Sequence, residues 1–217
     1  MDDSSASWRN TTHDWVRSVD PEHLALIRRD PAGLAPGGVR HLVLEVLAYA
    51  ADEAQYGGAG RCTVTLHPDG SVSVADDGRG TDTRFDEHGR AVRKPVMATK
   101  DLRFFDHPDA ESLPDGHPRR GMSVVAALSE WLVHTNRRAG GAWSQRYEYG
   151  VPATALTPVT DDGTTGTAVH FRPTGPAATT DSAALTDAAC DLVVEQLAGF
   201  ASAWPFLSVH FDDRRAD

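Results

Sequence analysis

The sequence predicts an α/β two-layer sandwich, in which one mixed sheet is covered by helices on one face. Three observations point there. Apolar residues at 39, 42, 43, 46, 47 and 50 keep a helical period. Residues 62–67 and 71–75 alternate around Pro68-Asp69-Gly70, as the strands of a hairpin do. The order along the chain is then helix, helix, hairpin, long irregular stretch, helix, strands, helix, strand, which interleaves the two kinds of element.

Residues 1–19 are polar and irregular, and read as a flexible leader to one domain over 20–217. Asp20-Pro21-Glu22 is a helix start, with an N-cap, a proline in the first position and an acid in the first turn. That helix carries Leu24, Leu26 and Ile27 and should stop before Asp30-Pro31, because a residue preceding proline avoids the helical region. Residues 31–38, rich in Gly and Pro, read as a loop. In the helix over 39–55, Glu45, Tyr49 and Asp52 stand at i, i+4 and i+7 and share a face beside the apolar stripe.

The second strand of the first hairpin runs straight into Asp76-Asp77-Gly78-Arg79-Gly80. Residues 82–120 are charged and aperiodic, as in a lid. A helix opens after Arg119-Arg120-Gly121, and hairpins are expected at 131–135 with 142–149 and at 156–160 with 167–172. A linker at 173–180, a helix over 181–201 and a strand at 206–211 complete the chain. Trp131, Trp143 and Trp204 read as core residues.

Composition bounds the function. Of 217 residues 40% are hydrophobic, enough for a folded core, and the net charge of −10 argues against a nucleic-acid-coating surface. The cations are 19 Arg against only Lys94 and Lys100. Cys62 and Cys190 have no disulfide-framework or metal spacing, and read as reduced structural thiols. No apolar run is long enough to span a membrane, and the N-terminus lacks the basic and apolar regions of a signal peptide. A soluble, cytoplasmic protein is expected. The ten histidines, His107 and His117 among them, show no zinc-site spacing.

Asp-Gly pairs at 69–70, 115–116 and 162–163 are explained by turn chemistry. Asp76-x-Gly78-x-Gly80 adds a second glycine that lets backbone approach a flat ligand, next to a carboxylate able to accept from an amino group. Around it stand the acidic helix face, the interrupted lid and a later Thr165-Gly-Thr167.

These blocks, with Val39-Arg-His-Leu-Val-Leu-Glu-Val46, Ala50-Ala-Asp-Glu-Ala54, Gly121-Met-Ser-Val-Val-Ala-Ala-Leu-Ser129 and Tyr147-Glu-Tyr-Gly-Val-Pro152, resemble the N-terminal ATPase domain of DNA gyrase B and its topoisomerase relatives. That is the GHKL superfamily, and the similarity runs over 24–211. It implies a Bergerat-type fold with ATP and magnesium as ligands. It also implies that Glu45 orients and deprotonates the attacking water, and that Asp76 recognises the adenine amino group. Gly78 and Gly80 open the floor under the base, and Thr167 supports it. Asp52 falls within the nucleotide-binding set, Arg79 and Glu53 match a salt-bridged roof, and Arg138 matches an arginine at the pocket mouth. Gly116, Arg119, Arg120 and Gly121 fall where the family's glycine-rich lid wraps the phosphates.

The departures from the pattern are specific. Tyr49 stands where the family has its magnesium-binding asparagine, Ala48 replaces an acid, and Arg119 replaces a lid glycine. Phe104-Phe105 stands where a glycine-glycine-lysine stretch is usual. No metal ligand is therefore assigned, and magnesium is doubtful. The sequence ends at Asp217, before the domain that in topoisomerases reaches the γ-phosphate with a lysine, so a stand-alone domain without supercoiling activity is expected. Two readings stay open. One is an adenine-nucleotide binder with slow or partner-dependent hydrolysis. The other is a non-hydrolysing module that engages a topoisomerase subunit, a gyrase inhibitor or biosynthetic chemistry. Either is expected to be a monomer without nucleotide.

Overall fold

The computed structural model describes residues 13, 19–82, 84–89, 91–92, 95–105, 110–174 and 194–216. Nearly all of the leader, His107, Cys190 and residues 181–193 of the expected C-terminal helix lie outside the described residues.

Helix α1 (Pro21–Arg29) starts where expected, with the Asp20 carboxylate accepting from His23 N at 3.0 Å. Residues 31–38 are not all loop: Pro31–Leu34 form a short helix, α2. Asp30 caps it through a 3.0 Å bond from Gly33 N, and Pro31 sits in the first turn, where its missing N–H costs nothing. Helix α3 (Val39–Gly57) follows the predicted period and buries residues on most of its surface, including Leu44 and Leu47.

Strands β1 (Gly60–Leu66) and β2 (Val72–Asp76) form the first hairpin. The lid stretch carries a separate two-stranded ribbon, β3 (Arg84–Phe85) with β4 (Ala91–Val92), and a 3-10 turn at Pro95–Met97. It also delivers Met97, Phe104 and Leu113 into buried positions, so part of it packs as core rather than as surface loop. Helix α4 (Met122–Ala127) is wholly buried and leads into β5 (Ser129–Arg138) and β6 (Gly141–Glu148), a hairpin as anticipated.

The other anticipated hairpin does not form. Strand β8 (Thr157–Pro158) pairs with β6, while β9 (Gly166–Pro173) lies between β2 and β5. The reason is burial. Val169 and Phe171 are inside only when β9 takes a central slot, whereas β8 is exposed and ends on a proline that suits an edge. Short β7 (Val151–Pro152) and β10 (Leu207–Asp213) complete an eight-stranded sheet of order β10-β1-β2-β9-β5-β6-β7, with β8 off that path on β6. Among the described residues β1 and β10 pair in parallel and the other neighbours antiparallel, so the sheet is mixed. Helix α5 (Val194–Ala201) packs Leu197 into the core against it.

Register sorts the helix-facing side into rows across four strands. Val72, Phe171, Leu132 and Tyr147 form a fully buried row. The next is Val74, Val169, His134 and Gln145, and beyond it come Asp76, Thr167, Asn136 and Trp143. Polarity rises from row to row, so the core grades into a polar opening. On the other face His67, Ser71, Ser73, His170 and Trp131 interact, with Ser71 Oγ 2.8 Å from His170 Nε2 and Trp131 edge-on to His170. Trp131 is thus not in the core.

Gly166 is where β9 meets the end of β2. Its φ is +133°, and an added Cβ would lie 2.0 Å from the Asp76 carbonyl oxygen. Because that neighbour is backbone, Gly166→Ala should destabilise the protein by about 2 kcal/mol or more, read as a fall in the urea midpoint. An unchanged midpoint would mean that the two strand ends are not held together.

Candidate functional site

Between α3 and the two polar rows lies a cavity of about 540 Å³. Helix α3 contributes Val46, Tyr49, Asp52 and Glu53 to one wall, and the sheet contributes both polar rows as floor. Gly80, Thr81 and Asp82 close one rim, while Val96, Met97 and Met122 supply an apolar side.

Asp76 ends β2 in the outer polar row. Its Oδ1 accepts from Gly78 N at 2.9 Å and Thr167 N at 3.2 Å, while no donor among the described residues reaches Oδ2. Burial is the main influence on this carboxyl and raises its pKa. Gly78 and Gly80 are required by close approach. A Cβ on Gly78 would meet Glu53 Cγ at 2.5 Å, and one on Gly80, where φ is +70°, would meet the Arg137 carbonyl oxygen at 2.1 Å.

Asn136 holds this loop. Its amide accepts from Thr81 N at 2.5 Å and donates to Thr81 O at 2.9 Å. Arg138 donates to Gly80 O at 2.9 Å and pairs with Asp82 at 2.7 Å. Arg79 pairs with Glu53, Nη2 to Oε2 at 3.0 Å, and lies 3.9 Å from the centre of the Tyr56 ring. The Arg79 bonds are the first cause of a lowered Glu53 pKa. The structure therefore brings Asp76, Gly80, Thr167, Asp52, Arg79, Glu53 and Arg138 to one cavity, with Gly78 just behind it.

The remaining candidates lie elsewhere. Glu45 is fully buried and does not line the cavity. Its carboxylate accepts from Arg120 N and, at 2.8 Å, from Gly121 N, at the entry to α4. His41, one turn earlier, bridges Glu45 (Nε2 to Oε1, 3.4 Å) and Asp115 (Nδ1 to Oδ2, 2.9 Å). Gly116 occupies a turn with φ +82° away from the cavity lining.

Arg119 is buried. It makes a two-pronged pair with Asp52 (2.7 and 3.2 Å), a third bond to Glu111 at 3.0 Å, and sits 4.6 and 4.5 Å from the ring centres of Tyr49 and Phe104. The Tyr49 hydroxyl donates to Asp101 at 3.2 Å, and burial, then the Asp101 charge, pushes its pKa far above the usual tyrosine range. It is a neutral phenol here.

Comparison with known proteins bears on this geometry. No family model matches the chain. The DNA gyrase B protein of Thermotoga maritima is 34% identical over 195 residues, which is 85% of this chain and 30% of that protein. The mitochondrial DNA gyrase B protein of Arabidopsis thaliana is 38% identical over 162 residues, 66% of this chain and 22% of its own length. The B protein of DNA topoisomerase 4 from Bacillus subtilis is 34% identical over 158 residues, 70% of this chain and 24% of its own length. This chain is homologous to the gyrase B and topoisomerase IV B proteins. It spans between a fifth and a third of the length of these three relatives.

Within this gyrase B homologue, several cavity residues carried no sequence signal of their own. Asn136 reads as a turn residue and Trp143 as core, yet both line the cavity. The signal was strand parity: 132, 134 and 136 point one way, so a strand extended to Arg138 puts Asn136 beside Thr167. The contacts of His41 with Asp115, and of Phe104 and Glu111 with Arg119, join residues that no local pattern pairs. No helix among the described residues is long and apolar enough to cross a membrane.

The His41 bridge has a pH signature. Burial opposes its charge, but Glu45 and Asp115 outweigh burial and raise its pKa. A raised histidine contributes stability in full below its unfolded value of about 6.5 and loses it as pH rises through the folded value. His41→Asn should therefore cost about 1.5–3 kcal/mol at acidic pH, and less as the pH becomes alkaline. Urea unfolding of both proteins across that range tests this, and a gap that widens with pH would contradict the bridge.

Proposed function

We propose that this chain is a gyrase B-like domain that binds adenine nucleotide in the cavity beside α3, with ATP hydrolysis slow or dependent on a partner. One observation carries the reading: Asp76 is a half-buried carboxylate with Oδ1 anchored by two backbone N–H groups and Oδ2 left without a donor among the described residues. An amino group on a flat base is a donor that this oxygen can accept from, and Gly80 lines the same cavity. On this reading Asp76, Gly78, Gly80 and Thr167 recognise adenine, the Arg79–Glu53 pair roofs it and Arg138 borders the mouth. For Asp52, Gly116, Arg119, Arg120 and Gly121 to serve the phosphates, and for Glu45 to be the base that activates water, Glu45 and Asp52 would have to leave the partners they hold here.

ATP suits the adenine end. Magnesium does not suit the residues present. Tyr49 offers a neutral phenol bonded to Asp101, Asp52 is paired with Arg119, and no group of three carboxylate, histidine or cysteine side chains converges among the described residues. Phosphoryl transfer draws on a metal to neutralise charge between the β- and γ-oxygens, and no such ligand set is built among the described residues. This favours the second reading, a non-hydrolysing module whose bound nucleotide serves a topoisomerase subunit or whose cavity takes a small molecule.

Asp76→Asn should weaken adenine-nucleotide binding by about tenfold to a hundredfold, the loss of a hydrogen bond to a charged acceptor worth ~1.5–3 kcal/mol. Calorimetric titration measures it, with circular dichroism to show that the fold persists. Unaltered affinity would remove Asp76 from the adenine contact.

Phosphate release from ATP should stay near background with or without magnesium, and Tyr49→Asn should introduce some magnesium dependence. Robust release that requires both magnesium and Glu45 would establish a full ATPase instead.

A further inference from the structure

Among the described residues, both arginines that line the cavity are matched by a carboxylate of this chain, and so is Arg119, which lies off the lining. Arg79 is held by Glu53, Arg138 by Asp82, and Arg119 by Asp52 together with Glu111. The charged residues lining the cavity are four acids, Asp52, Glu53, Asp76 and Asp82, against two arginines. The backbone donors of the segment that follows Arg119 are taken as well, since Glu45 accepts from both Arg120 N and Gly121 N.

A polyphosphate tail at that segment would meet Arg119 already held by Asp52 and Glu111 and an Arg120 guanidinium bonded to the Phe104 carbonyl oxygen, and would have to displace a buried carboxylate from two N–H groups. A metal that could offset this has no ligand cluster there among the described residues. The sheet floor and the apolar side of the cavity are different in character. Trp143, Gln145 and His134 lie on its sheet side and Met97 on its apolar side, all suited to a neutral group.

We infer that this site selects adenine nucleosides, or adenine ligands with an uncharged tail, over adenosine triphosphate, because Glu45 and Asp52 occupy the anion-binding groups that a triphosphate needs. This rests on the adenine reading of Asp76 and names the ligand class of that site. Affinity comes from the base and the sugar, and added phosphates reduce it.

The test is calorimetric titration of the full chain with adenosine, AMP and ATP, with magnesium and with EDTA. Adenosine should bind at least as tightly as ATP under both conditions. A preference for ATP greater than about twofold, in either condition, overturns the inference while leaving the adenine site in place. Absence of binding by all three ligands overturns both.

Two variants probe the cause. Glu45→Gln removes the charge that competes for Arg120 N and Gly121 N, and Asp52→Asn removes one of the two carboxylates that hold Arg119. Each should shift the ratio of ATP to adenosine affinity toward ATP by about tenfold. Thermal melts show whether each variant is folded. Because either variant alone suffices, a folded one in which the ratio does not move overturns the assignment.

Discussion

The lateral register of β2, β9, β5 and β6 is the constraint on which the site depends. Antiparallel pairing leaves every second residue on one face and sets residues of neighbouring strands side by side. A slip of one residue would exchange Val169 and Phe171 with Ala168 and His170, and the core would lose two buried side chains at once. The same slip would move Thr167 off Asp76 and Asn136 off the Gly80–Thr81 turn. Core burial therefore enforces the alignment of polar residues that burial itself would never select. Gly166 marks the tightest point of this arrangement, where two backbones pass with no room for a side chain.

A second organising feature is how helix α3 distributes its acids. Glu45, Asp52 and Glu53 leave one helix toward three partners: backbone N–H groups before α4, the Arg119 guanidinium and the Arg79 guanidinium. Arg119 is the most consequential, because a buried guanidinium must find compensating charge. It finds Asp52 and Glu111, with the rings of Tyr49 and Phe104 near its plane. The three departures from the family pattern that looked separate in the sequence, Tyr49, Phe104 and Arg119, are thus one packed unit. A glycine in place of Arg119 would leave that unit without a centre.

Homology to the gyrase B and topoisomerase IV B proteins and this local chemistry answer different questions. The homology places most of this chain beside a part of those proteins. The packing around Arg119 follows from the chain's own side chains, since fold and function separate at the level of the site. Four acids and two arginines around one cavity set its electrostatics whatever its ancestry.

Much was legible in the sequence because it is local. Helical period located α1 and α3, alternation located β1, β2, β5 and β6, and the Asp20-Pro21 and Asp30-Pro31 pairs set helix boundaries. The Asp76 turn stood out by its second glycine, and the role of Thr167 was implied by the family resemblance. Other outcomes required the tertiary structure. Whether residues 156–172 fold back on themselves or divide between two strands depends on which slot buries Val169 and Phe171, an energy shared with β2 and β5. Whether Glu45 faces a ligand or caps backbone donors depends on residues 75 positions away. Local propensity determines which elements form, but pairing and charge compensation are long-range, and only the folded chain decides them.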